Sequence, residues 1–185
     1  LREIQNRIKS IQDTRKITNA MYMISSTKMR KAKQDLENTE PYFYTLQAMM
    51  ARLLRHLPDV SHMYFEKEEG EEQPDHQKKV GLLVITGDKG LAGAYNHNVL
   101  KLAQEFLDDR DQWTELFVVG ELGRQYFTGQ HVPIQENFQF TAQNPTFSRA
   151  RWIAETLLEK FESGELDEIQ VIFTRVENSM TSVAE

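Results

Sequence analysis

Leu1-Arg2-Glu3-Ile4-Gln5-Asn6-Arg7-Ile8-Lys9-Ser10-Ile11 opens the pattern that decides the fold. Stepping alternately four and three residues from Ile4 meets Ile8, Ile11, Arg15, Thr18, Tyr22, Ser25, Met29, Ala32, Leu36, Thr39, Phe43, Leu46, Met50, Leu53 and Leu57. That is a mostly apolar seam at the 3.5-residue spacing that keeps one stripe against a partner helix. The helix predicted over residues 1–57 would be about 80 Å long. A domain built from the remaining residues cannot wrap it, so it is expected to project and to need a partner. Ile4, Ile8, Ile11, Leu36, Phe43, Leu46, Met50 and Leu53 are the candidate seam contacts of a coiled coil.

The seam is weakest between Arg15 and Ser25, where its strict positions are polar. There Ile17, Ala20, Met21, Met23 and Ile24 spread apolar surface around other sides of the helix. Two readings stand: a two-stranded coiled coil with local irregularity, or a shaft enclosed by several neighbours. Pro41 falls inside the pattern, yet the seam resumes in phase at Phe43 and Leu46. A bend rather than a break is expected there.

Charge is divided unevenly. Residues 1–33 carry nine Lys or Arg (Arg2, Arg7, Lys9, Arg15, Lys16, Lys28, Arg30, Lys31, Lys33) against Glu3 and Asp13, which gives +7. The net charge of the whole 185-residue chain is -6, which leaves -13 for the remainder. A basic helix on an acidic body points to an acidic partner surface: nucleic acid, anionic lipid or an acidic protein loop. A solvated helix face is the plainer alternative. There is no cysteine, which excludes disulfides and thiolate metal sites. No apolar run is long enough to cross a bilayer, and the N-terminus is not a signal peptide. Leu1 in place of Met reads as a trimmed start.

Residues 58–79 hold Glu66, Glu68, Glu69, Glu71, Glu72 and Asp75 among Gly70 and Pro74, an acidic linker. The period then changes. Val80-Gly81-Leu82-Leu83-Val84-Ile85-Thr86 is a near-continuous apolar run suited to a strand buried on both faces. A glycine-rich turn, 87–93, leads into a helix over 94–109 with Val99, Leu102, Ala103, Phe106 and Leu107 inward. A second strand is predicted over 115–120, a short helix over 122–127 and a third strand from Val132-Pro133-Ile134. A longer helix, capped by Asn144 or Thr146, carries Trp152, Ile153, Leu157, Leu158 and Phe161 inward. A fourth strand spans 168–177. Such alternation over 80–185 predicts an open, largely parallel, Rossmann-like α/β sheet covered by helices.

The turn Thr86-Gly87-Asp88-Lys89-Gly90-Leu91-Ala92-Gly93-Ala94 lies where an α/β sheet would hold a phosphate. Its Gly87, Gly90 and Gly93 spacing fits neither phosphate fingerprint. The three glycines are therefore assigned to a tight turn with positive φ and close helix-strand packing. His56, His62, His76, His97 and His131 lack metal-ligand spacing, and Asp88 with Lys89 does not make an enzyme without a nucleophile and base. No cofactor, metal or catalytic residue is expected.

Ile17-Thr18-Asn19-Ala20-Met21-Tyr22-Met23-Ile24-Ser25-Ser26-Thr27-Lys28-Met29-Arg30-Lys31-Ala32 resembles the N-terminal helix of the gamma subunit of F-type ATP synthases, which typically reads I-T-K-A-M-x-M-V, small residues, then K-L-R-K-A. Residues 86–96, ending Ala94-Tyr95-Asn96, are similar to that family's second signature, S-D-R/K-G-L-C/A-G-x-x-N. Asn19 stands where Lys is usual, Met29 replaces Leu, Gly87 sits where Ser is common, and Ala92 replaces a frequent cysteine. The resemblance covers essentially the whole chain but lacks the family's long C-terminal helix, which pairs antiparallel with the N-terminal one. The chain thus reads as a fragment or part of a longer subunit, residues 1–57 being half of an antiparallel coiled coil.

The resemblance implies a non-catalytic rotor shaft standing in a ring of three alpha and three beta catalytic subunits. Its α/β foot would meet the epsilon subunit and the ring of membrane c subunits. Ion-driven rotation would drive each beta subunit through different affinities for nucleotide. Arg7, Lys9, Arg15, Lys16, Lys28, Arg30, Lys31 and Lys33 become candidate contacts to acidic levers of the beta subunits, with Ile17, Ala20, Met21 and Ile24 as apolar contacts to the ring. Membrane contact is implied only through the c ring, peripherally, at the cytoplasmic face of a bacterial plasma membrane. Two other classes stay open: a nucleotide-dependent enzyme with a coiled-coil arm, and a coiled-coil adapter, scaffold or nucleic-acid binder. Aromatic and Arg contacts for base reading are not evident, so no nucleic acid is expected.

Overall fold

A computed structural model describes residues 2–56, 62, 64, 78–108, 113–178 and 181–185. The chain divides into two units, Leu1–Glu71 and Glu72–Glu185. Most of the acidic linker predicted over 58–79 lies outside the described residues.

The first unit holds α1, Arg2–His56, 55 residues without an interruption. It passes through Pro41, whose missing N–H leaves the Glu37 carbonyl without its helical donor. The Pro41 carbonyl accepts the Thr45 hydroxyl at 2.7 Å. Thr18 and Thr39, polar positions of the seam, likewise turn their hydroxyls onto the carbonyls of Thr14 and Asp35 at 2.9 and 2.8 Å. A threonine satisfied within its own helix can face a partner without presenting an orphan donor. No residue of α1 is buried. Helix propensity does not stabilise such an element against its own entropy, so its apolar seam has to be covered for the helix to be stable.

The second unit is built on three parallel strands, β1 (Lys79–Ile85), β2 (Trp113–Val119) and β3 (Glu168–Ile172), in the order β2-β1-β3. The central strand is apolar at almost every position because both its faces are covered. On one side Leu82, Val84, Leu116, Val118 and Ile172 pack with Val99, Leu100, Ala103 and Phe127, from α2 (Tyr95–Leu107) and α3 (Glu121–Gly129). On the other, Leu83, Phe117 and Val119 pack with Phe138, Leu166 and Leu157 of α4 (Phe147–Glu162). Thr146 caps α4 by accepting the Arg149 N–H at 3.3 Å, whereas Asn144 takes φ +50 before it. The architecture is the open, largely parallel α/β sheet expected.

Several details depart from the sequence reading. Residues 132–134 form no strand: Pro133 has no N–H for a ladder, and the Val132 N–H closes the end of α3 on Phe127 at 3.0 Å. The sheet is continued past β2 by a single parallel bridge from Val119 to Phe140. The strand predicted over 168–177 is interrupted at Phe173. Its second part, β4 (Thr174–Val176), pairs antiparallel with β5 (Ser182–Ala184). Trp152 and Leu158 do not point inward; Trp152 is 65% exposed, resting edge-on against Phe140.

Candidate functional site

The residues singled out on α1 are all exposed: Arg7, Lys9, Arg15, Lys16, Ile17, Ala20, Met21, Ile24, Lys28, Arg30, Lys31 and Lys33, together with the seam residues Ile4, Ile8, Ile11, Leu36, Phe43, Leu46, Met50 and Leu53. Lys16 reaches Asp13 at 3.4 Å and Lys33 reaches Glu37 at 3.8 Å, both in solvent. Among the described residues, Arg7, Lys9, Arg15, Lys28, Arg30 and Lys31 have no acidic partner. At about 100° per residue, Lys28 and Lys31 share one side of the helix and Arg30 points to another, and Met23 points away from Ile17 and Met21. The charge forms no single stripe, whereas Ile17, Ala20, Met21 and Ile24, spaced i, i+3, i+4 and i+7, form one apolar stripe beside the seam. A single flat partner cannot use such a surface; neighbours on several sides can.

The glycine turn has a different character. The Gly87 N–H donates to Asn96 Oδ1 at 2.7 Å, tying the turn to α2. The Gly87 carbonyl accepts the Leu122 N–H at 3.1 Å. A side chain at Gly87 would press on the Asn96 amide, and Gly93 takes φ +58. Gly90 has open space around it and no positive φ; the left-handed residue beside it is Leu91, φ +63 and fully exposed. Asp88 accepts three main-chain N–H groups: Glu121 at 3.2 Å, Ala142 at 3.1 Å and Gln143 at 2.8 Å. A carboxylate occupied in this way fastens α3 and the segment after Phe140 to the end of the sheet. Beneath it, the fully buried Thr86 hydroxyl donates to the Val119 carbonyl and accepts the Gly123 N–H, both at 3.0 Å. The Gly87 N–H, the group that would meet a phosphate first, is thus consumed within the protein.

Thr86, Asp88, Asn96, Gly120 and Gly123 were not assigned these roles from sequence. A buried Thr at a strand end, two residues before an Asp, was the available signal. Elsewhere in the unit, Lys160 bridges Glu115 at 3.1 Å and Glu165 at 2.8 Å. Its hydrogen bond to Glu165 holds the ammonium above its ordinary value and the carboxylate below. Arg124, bonded to Glu121 at 2.6 Å, holds that carboxyl low as well. Burial pushes the Tyr95 phenol up. The Lys160–Glu115 pair ties α4 to β2, whereas Arg124 and Glu121 lie within α3; no group of three metal-ligating side chains occurs among the described residues. Among the described residues, no helix is long and apolar enough to cross a membrane.

Fold and site together define a helical-arm protein: a long, fully exposed helix offered to partners, and an α/β domain whose signature residues hold its own turn together. A sequence model of the ATP synthase family matches residues 1–185. The chain belongs to the ATP synthase family. It is 44% identical over 175 residues to the ATP synthase gamma chain of Caldanaerobacter subterraneus subsp. tengcongensis, and 39% identical over 176 residues to that of Ruminiclostridium cellulolyticum. Each match covers 95% of this chain and 58% of the relative, so the chain spans under two thirds of the relatives' length. Among solved structures it is similar to a chain of the Tetrahymena thermophila mitochondrial ATP synthase central stalk and c ring. The TM-score is 0.65 at 25% identity, over 91% of this chain and 70% of that one.

Proposed function

We propose that the chain is the greater part of the central rotor shaft of an F-type ATP synthase. In this reading the shaft couples ion-driven rotation of the c ring to ATP synthesis or hydrolysis in the alpha and beta subunits. The observation that carries the reading is α1 itself, a 55-residue helix with no buried residue, apolar and basic on several sides at once. The shaft performs no bond chemistry. It is asymmetric within a ring of like subunits, and so makes different contacts with each, which splits their otherwise equal affinities for nucleotide.

The residues proposed to meet the alpha and beta ring are Arg7, Lys9, Arg15, Lys16, Lys28, Arg30, Lys31 and Lys33, with Ile17, Ala20, Met21 and Ile24 as apolar bearing surface. Ile4, Ile8, Ile11, Leu36, Phe43, Leu46, Met50 and Leu53 form the seam for a second helix. The foot domain is assigned to epsilon and the c ring, with membrane contact only through that ring, on the cytoplasmic face of a bacterial plasma membrane. Likeness to gamma chains over nearly all of this chain supports the reading.

Co-expression of the tagged full-length subunit with its alpha and beta subunits tests it. Recovery of one copy for each ring of three alpha and three beta, with ATP turnover stimulated by the subunit, is the expected result. Failure to associate would leave an adapter with a nucleotide-binding-like domain, to be examined with labelled nucleotide at the glycine turn.

A further inference from the structure

Pro41 stands at a defined angle to the seam of α1. At about 100° per residue, Ala32, Leu36, Thr39, Phe43, Leu46 and Met50 all lie within about 40° of the line diametrically opposite it. Between residues 30 and 52, the positions within about 40° of the proline itself are Arg30, Gln34, Glu37, Thr45, Ala48 and Arg52. Each is exposed and none is a large apolar residue. The side of α1 that needs a cover and the side that carries Pro41 are therefore opposite.

Two features weaken the backbone on that outer side, within one turn of each other. The Glu37 carbonyl lacks its helical donor, because Pro41 has no N–H, and the pyrrolidine ring crowds that same carbonyl. One turn later the Thr45 hydroxyl donates to the Pro41 carbonyl at 2.7 Å, a back-bond of the kind that bends helices. Bending toward the seam lengthens the outer side, where the bond is already missing and nothing has to break. Bending the other way shortens the outer side and drives the ring into the Glu37 carbonyl. The turn yields in one direction only.

We infer that Pro41 is a one-way hinge that bends α1 toward its seam. The proline lies on the convex, solvent face, the sense in which helices curve over what they cover. Two helices that stay in contact along a seam curve together. α1 therefore takes the outer, longer path of the pair, and the helix on its seam takes the inner one. Leu36 and Phe43, on either side of the hinge, close on that partner together, where a straight α1 would hold one and lift the other. The inference needs the seam to be covered and does not rest on the rotor role.

A crystal or cryo-electron-microscopy structure of the complete subunit tests this, alone or in its assembly, for the parent and for Pro41→Ala. In the parent, the axes of residues 20–37 and 42–56 are expected to meet at more than about 20°, with Pro41 on the convex face. In Pro41→Ala the angle is expected to fall by at least half. A straight parent helix, a bend with Pro41 on its concave face or flank, or an equal bend in Pro41→Ala each overturns the proposal. A subunit that is bent in this way and yet joins no ring of alpha and beta subunits would remove the rotor reading and leave the hinge standing.

Discussion

Gly120 stands where the chain leaves β2 for α3, at φ +99, and a Cβ there would overlap the Thr86 carbonyl. Both strain and collision follow from any side chain, so Gly120→Ala is expected to destabilise the foot domain by about 2 kcal/mol or more, read as a lowered denaturant midpoint. Asp88 is the second such residue. Asp88→Ala leaves the N–H groups of Glu121 and Ala142, both part-buried, without acceptors. A loss of about 2 kcal/mol is expected, with Asp88→Asn intermediate because one amide oxygen remains to accept. Equal stability of Asp88→Ala and the parent would show that water replaces those bonds without cost.

Among the elements, α4 is tied to the sheet by Lys160. Its folded-state value is raised, so its contribution is complete below the ordinary lysine value and is lost as pH rises through the raised one. Glu165 is lowered, so its contribution is complete above the ordinary carboxylate value and is lost as pH falls through the lowered one. Lys160→Met is therefore expected to flatten the acid limb of the stability profile as well as to lower stability at neutral pH. Thermal melts between pH 3 and 7, values chosen to span the ordinary carboxylate range, would show it. In α1, Pro41→Ala restores the donor for the Glu37 carbonyl and removes a helix-breaking ring. An increase in helix stability of about 3 kcal/mol is expected, followed by circular dichroism. Unchanged helix content would mean that a partner, not the backbone, fixes that turn.

For the molecule as a whole, the distribution of charge governs association. Reversal of Lys28, Arg30 and Lys31 to Glu turns three unpartnered cations on two sides of α1 into anions. On the proposed rotor role, weaker binding to the alpha and beta ring and reduced coupled synthesis are expected, with the parent's association falling as salt is raised. Unchanged torque and synthesis would remove these residues from the drive surface. Steric contact by Ile17, Met21 and Ile24 would survive the reversal, so a partial loss identifies how the two kinds of contact share the load.

What the sequence determined by itself was everything that depends on period. The 3.5-residue seam specified a single helix over 1–57, seen as Arg2–His56, and the apolar run at 80–86 specified a strand covered on both faces, because side-chain pattern and backbone repeat are written in the same residues. The basic half of α1 was equally plain. What only the tertiary structure decided were interactions between residues far apart in the chain. The bonds from Asp88 to Ala142 and Gln143, the seat of Thr86 under Gly120, and the break at Phe173 each depend on which strand lies alongside. Residues 132–134 have strand composition, but Pro133 has no N–H for a ladder and Val132 spends its own on the end of α3, and Trp152 has core composition but a position at the rim. Local pattern fixes what an element can be; the ladder beside it fixes where it ends and which groups its side chains can reach.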